Sequence, residues 1–121
     1  MFFYGATMKY DQIKSAKQAG AGRPGEEHRP DFTDVVFLTT RWEIARSYGA
    51  WVYSIDAPTA TLYAEAYQAR ADAGQLHRRK SRKNRDKKIK TLRRDSGHIF
   101  VVAPEELNVE SCTYYPGTAK P

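Results

Sequence analysis

The side chains with the most obvious chemical capacity lie in one stretch, 77–94 (HRRKSRKNRDKKIKTLRR), which holds eleven of the chain's twenty lysines and arginines against a single acid, Asp86. That stretch carries about +10, and because the whole 121-residue chain carries +6, the remainder is mildly acidic at about −4. Eleven cations in eighteen residues repel one another and weaken an isolated fold, which favours an anionic partner, nucleic acid or an acidic protein surface. Arg78, Arg79, Lys80, Arg82, Lys83, Arg85, Lys87 and Lys88 are the expected partner contacts. No aromatic residue falls between Tyr67 and Phe100, so the stretch suits phosphates or carboxylates and not the stacking of bases.

Other chemistries find no constellation. His28 and His77 sit among charged residues and Cys112 is the lone cysteine, so no zinc set of the usual ligand spacing exists and no metal is expected. Ser, His and Asp are present without a Gly-x-Ser-x-Gly elbow. The run Gly20-Ala21-Gly22-Arg23-Pro24-Gly25 has the wrong spacing for a phosphate-cradling loop, and its proline reads as plain loop. A single cysteine cannot close an internal disulfide, which points to the cytoplasm. No apolar window approaches the length of a membrane span, and the N-terminus lacks the basic and apolar regions of a signal peptide, so no membrane association is expected.

The scaffold is expected to be one domain over residues 1–121 with a flexible basic insertion at about 76–95, a loop or a solvated helix, because Ile89 and Leu92 are its only apolar residues. Phe2 to Ala6 reads as a short buried strand. Lys9 to Ala19 places Tyr10, Ile13 and Ala16 at helical spacing before Gly20. After the Gly/Pro-rich loop 20–34, Val35 to Thr39 is a β-branched strand, and Thr40-Arg41-Trp42-Glu43 has the form of a capping box, so a helix is predicted over Arg41 to Tyr48. Trp51 to Asp56 alternates as a half-buried strand, and the eleven residues from 40 to 50 are short for a parallel crossover, which places the two strands in different sheets. Residues 59–73 form a helix with Leu62, Tyr63, Ala66 and Tyr67 on one face, closed by Gly74; strands follow at 98–102 and 108–115.

The order of these pieces resembles the ADP-ribosyltransferase superfamily, above all its rifampin ADP-ribosyltransferase and diphtheria-toxin-like branches. There a first strand ends in His-Gly-Thr, a second reads close to Val-Tyr-Leu-Thr, and a late strand or its leading loop supplies an acid. The corresponding pieces are Phe3-Tyr4-Gly5-Ala6-Thr7, Val36-Phe37-Leu38-Thr39-Thr40, and Asp95-Ser96-Gly97-His98-Ile99-Phe100-Val101-Val102. The resemblance implies an α+β fold, a split β-sandwich of two small, mainly antiparallel sheets with short flanking helices, and NAD as substrate in the cleft between them. It further implies transfer of ADP-ribose to a macromolecule recruited by the basic stretch, as in a bacterial or phage effector. By the same resemblance Tyr4, Gly5, Phe37, Thr39 and Tyr48 would contact NAD, with His98 and Asp95 at the catalytic position.

Each of those residue types has a physical reason. A glycine lets backbone approach a flat amide closely, an aromatic ring stacks on nicotinamide, and a carboxylate stabilises the cation that develops as the glycosidic bond breaks. The chain departs from the family with Tyr4 for histidine, Phe37 for tyrosine and His98 at or next to the acidic position. Two alternatives therefore stand beside the transferase: an inert domain of the same fold that grips nucleic acid or an acidic protein, and an RNA 2'-phosphotransferase-like enzyme.

Overall fold

The computed structural model describes residues 1–19, 30–76 and 80–117. In chain order its elements are β1 (Phe2–Ala6), α1 (Ala16–Ala19), β2 (Val36–Thr39), α2 (Trp42–Tyr48), β3 (Trp51–Asp56), β4 (Thr61–Leu62), α3 (Tyr63–Asp72), α4 (Arg82–Asp95), β5 (Ile99–Val102) and β6 (Asn108–Tyr114). Residues Pro30–Phe32 and Pro104–Glu106 form 3-10 turns. The class is α+β. No helix among the described residues is long and apolar enough to cross a membrane.

In place of the two separate sheets expected, the strands form one six-stranded antiparallel sheet in the order β4-β5-β2-β1-β3-β6. Its cohesion is uneven. Five residue pairs join β1 to β3, six join β3 to β6 and four join β2 to β5, but β1 meets β2 through the single pair Phe3↔Thr39. The sheet thus consists of two three-stranded halves, β4-β5-β2 and β1-β3-β6, hinged on one pair.

The same sheet corrects the reading of the link from 40 to 50. β2 and β3 run parallel on either side of β1, and α2 carries the chain across β1 between them. So short a crossover is possible because helix and strand backbones nearly touch: a Cβ built on Gly5 would lie 1.7 Å from the Ala45 carbonyl oxygen, and one on Gly49 would lie 2.1 Å from that of Ala6.

Alternation along the strands divides the core between the two faces. Ala6, Val36, Leu38, Tyr53, Ile55 and Val102 pack on one face with Ile13 and Tyr10. The helix predicted over Lys9–Ala19 is confined to Ala16–Ala19, because Tyr10 turns its backbone to the Tyr53 hydroxyl: its N–H donates to that oxygen at 2.6 Å and its carbonyl accepts from it at 3.3 Å. Both apolar residues still reach the core.

On the other face Phe32, Val35, Tyr63, Ala64, Tyr67 and Val101 meet Ile89 and Leu92 of α4. Much of the basic stretch is therefore a helix, one of the two forms expected of the insertion at about 76–95, with its two apolar residues packed on α3. Two apolar residues suffice because their spacing of three puts both on the side facing α3, where burying each contributes about 1.5–3 kcal/mol. Ser81 caps the helix, its hydroxyl accepting from Asn84 N–H at 3.2 Å. Ion pairs from Arg85 to Asp72 (3.6 Å) and from Arg93 to Glu65 (3.3 Å) tie α4 to α3.

Candidate functional site

The geometry that could receive a ligand begins at the seam between the half-sheets. Continuing the register from Phe3↔Thr39 sets Gly5 opposite Phe37 across the seam and Tyr4 opposite Leu38. Gly5 has its Cα covered by α2, which leaves only its backbone edge for recognition. The Phe37 ring stands edge-on to Phe32 and Tyr63, with centroids 6.3 and 5.2 Å away, and so serves the core beneath α3. Tyr4 projects to the opposite face, where its ring meets Tyr53 edge-on at 6.1 Å.

Thr39 is buried and its hydroxyl accepts the Arg41 N–H at 3.1 Å. That bond displaces the predicted capping box: the cap residue is Arg41, with no side-chain cap bond, and α2 starts at Trp42. Tyr48 is 60% exposed at the far end of α2. Its neighbour Gly49 abuts Ala6 and Thr7 at the C-terminal end of β1, away from the hinge pair. Of the five residues assigned to NAD, the structure brings Gly5, Phe37 and Thr39 to one face of the seam and sets Tyr4 on the other, while Tyr48 is exposed at the end of α2, beside the end of β1 that follows Gly5.

The closed end of the seam gathers polar groups. His98 directly precedes β5, and its carbonyl accepts the Thr40 N–H at 3.1 Å, which holds it beside the end of β2. Asp95 is forked by Arg94, with N···O distances of 2.9 and 3.2 Å, and this bond lowers its carboxyl pKa. A second carboxylate, Glu43 in the first turn of α2, also lies here. Its own backbone N–H and then the Arg41 guanidinium at 2.9 Å hold its pKa below the ordinary value, and nearby His98 adds to the shift. Sequence reasoning assigned Glu43 to a cap and missed it. The available signal was its place one turn beyond Thr39, on the link that passes the start of β5.

Both lowered carboxyls favour the folded state above the ordinary carboxylate range, a contribution lost as pH falls through their folded-state values. In an NMR titration the Glu43 carboxyl is expected to have its midpoint below the usual glutamate value and to move up in Arg41→Ala. No movement would mean that the guanidinium is not what holds it.

Comparison with family models, curated proteins and solved structures finds no match to this chain.

The other concentration of chemistry is the outer surface of α4. Lys80, Arg82, Lys83 and Lys87 are exposed, Lys88 is half-buried, and Arg85 turns inward to Asp72. Arg78 and Arg79 lie outside the described residues. Replacing Lys83, Lys87 and Lys90 by glutamine should leave the melting temperature unchanged or slightly raised, since like charges three and four apart on a helix are mutually destabilising. A marked fall would show that these side chains support the core.

Proposed function

We propose that this chain is a cytoplasmic, divergent ADP-ribosyltransferase-like domain that binds NAD at the seam of its sheet and modifies a macromolecule held against α4. The observation that carries the reading is the division of the sheet into two three-stranded antiparallel halves joined by a single ladder pair, the arrangement nearest to the two sheets that the resemblance implies. The donor set fits in part: the Gly5 backbone edge and the β2 residues Phe37 and Thr39 line the seam, whereas the Tyr48 side chain is largely exposed.

Bound NAD supplies an ADP-ribosyl group as nicotinamide leaves. Glu43 is the carboxylate we assign to the closed end, ionised by Arg41 and its own amide and so able to stabilise positive charge there; His98 stands beside it to orient an acceptor. Asp95 is the weaker candidate because Arg94 already occupies both its oxygens.

Calorimetric titration with NAD, followed by incubation with labelled NAD and a lysate, tests this reading. Glu43→Gln should lower transfer about a hundredfold or more with NAD affinity little changed, while Asp95→Asn and Tyr48→Ala should leave both near the starting value. Loss of transfer in Asp95→Asn alone would return the role to Asp95. The inert-binder alternative draws support from the exposure of Tyr48 and the closure over Gly5, and it requires that NAD not bind at all.

A further inference from the structure

Along α4, Lys83, Lys87, Lys90 and Arg94 follow one another at intervals of four, three and four residues, so they form a single stripe. The stripe lies opposite Ile89 and Leu92, which are buried against α3, and all four of its side chains are exposed. From Lys83 to Arg94 it extends about 16 Å, with neighbouring positions roughly 5–6 Å apart. Only Arg94, in the last turn, lies where its charge suits the helix. Its first turn holds Arg82 and Lys83 and no acid, which opposes the positive end of the helix dipole.

Three of the four arginines of this helix are paired and the lysines of the stripe are not; Arg82, in the first turn, also forms no ion pair among the described residues. Arg85, Arg93 and Arg94 each pair with a carboxylate, Asp72, Glu65 and Asp95. Lys83, Lys87 and Lys90 form no ion pair among the described residues. The planar fork of arginine suits carboxylates, while lysine meets phosphate as a point charge without a fixed geometry. The stripe also lacks the aromatic and apolar anchors around which protein interfaces are built, and lysine is depleted in such interfaces. With no ring to stack on a base, it offers nothing particular to single strands.

We infer that the lysine stripe of α4 is a docking surface for the phosphate backbone of double-stranded DNA, bound without sequence preference. B-form DNA presents a major groove wide enough to receive a helix, whereas the A-form major groove of duplex RNA is too narrow for one. Lys80 ahead of the helix and Lys88 on its flank extend the positive surface toward the strands on either side. The inference names the acceptor class for the transferase reading, on which its enzymatic meaning rests, but docking itself requires no NAD.

The test uses the full chain and a fluorescein-labelled 20-base-pair duplex of random sequence, with anisotropy followed across a salt series in the absence of NAD. Micromolar binding that weakens steeply with salt is expected. The triple Lys83→Gln, Lys87→Gln, Lys90→Gln variant should lose about tenfold or more in affinity at 0.1 M salt and lower the salt slope by about 2–3. The triple Lys→Arg variant should retain binding, and Lys14→Gln with Lys17→Gln should change nothing. Circular dichroism of each variant verifies that α4 persists. Absence of DNA binding, or an unchanged slope in the glutamine triple, overturns the inference. So does equal or tighter binding of duplex RNA, or displacement of the DNA by polyglutamate at matched charge concentration. Because NAD is absent throughout, a negative result here leaves the NAD titration above to stand or fall by itself.

Discussion

Gly5→Ala is expected to destabilise the protein by at least about 3 kcal/mol, the upper end of overpacking costs, because the added carbon meets backbone and cannot be relieved by a change of rotamer. Its ideal position lies 1.7 Å from the Ala45 carbonyl oxygen and 2.6 Å from the carbonyl carbon. Relief requires α2 to lift from β1, and that would loosen the buried contacts of Ala45 and Val52 together. Gly74→Ala is the informative comparison. Gly74 has a left-handed φ of +70° with nothing within 4 Å, so alanine there meets only the backbone penalty of about 1–2 kcal/mol. Urea denaturation of both variants checks the ranking. Equal small losses would mean that α2 rides loosely over β1 and that Gly5 is available to a ligand on its Cα side as well.

Phe32→Ala should cost about 3–5 kcal/mol, the range for deleting a buried aromatic side chain. Phe32 is among the largest fully buried side chains, although it arises from a three-residue 3-10 turn and not from a regular strand or long helix. Its ring stands edge-on to Tyr63 at 5.0 Å, and the Arg70 guanidinium carbon lies 4.2 Å from its centroid. Arg70 in turn donates to the Asp31 carbonyl and pairs with Asp34 at 3.1 Å, so the ring organises the turn that leads into β2. Phe32→Leu, which keeps most of the volume, should cost less than half as much. If alanine proved as mild as leucine, the turn would be collapsing into the space left behind and the ring would not be a support of the second core.

Elements encoded by their own periodicity were legible in the sequence. The alternation of Trp51 through Asp56 marks β3 at its observed limits, and the β-branched runs mark β2 and β5 closely. What could not be read depends on contacts between distant residues. β4 is two residues long and exists only by pairing with Val101 and Phe100. The joining of the half-sheets turns on one pair, which no local pattern signals. α4 could be read only as a loop or a solvated helix because its charge hides a two-residue apolar face that gains its value only once α3 is in place. For the candidate site, the strand positions of Gly5, Phe37 and Thr39 were legible. Glu43 was not, since its neighbourhood with His98 arises where a helix start passes a strand 55 residues later in the chain.

The hinge pair Phe3↔Thr39 makes the two halves look separable, yet the path of the chain forbids it. The backbone passes from one half to the other four times, between β1 and β2, β2 and β3, β3 and β4, and β5 and β6. Neither half is a continuous segment that could be excised or could fold ahead of the other, and most strand pairing joins residues remote in sequence. Closing such long loops is slow, so folding should be slower than for a helical bundle of this size and should occur as one cooperative event. A seam with one ladder pair thus does not give the molecule two independent units of stability.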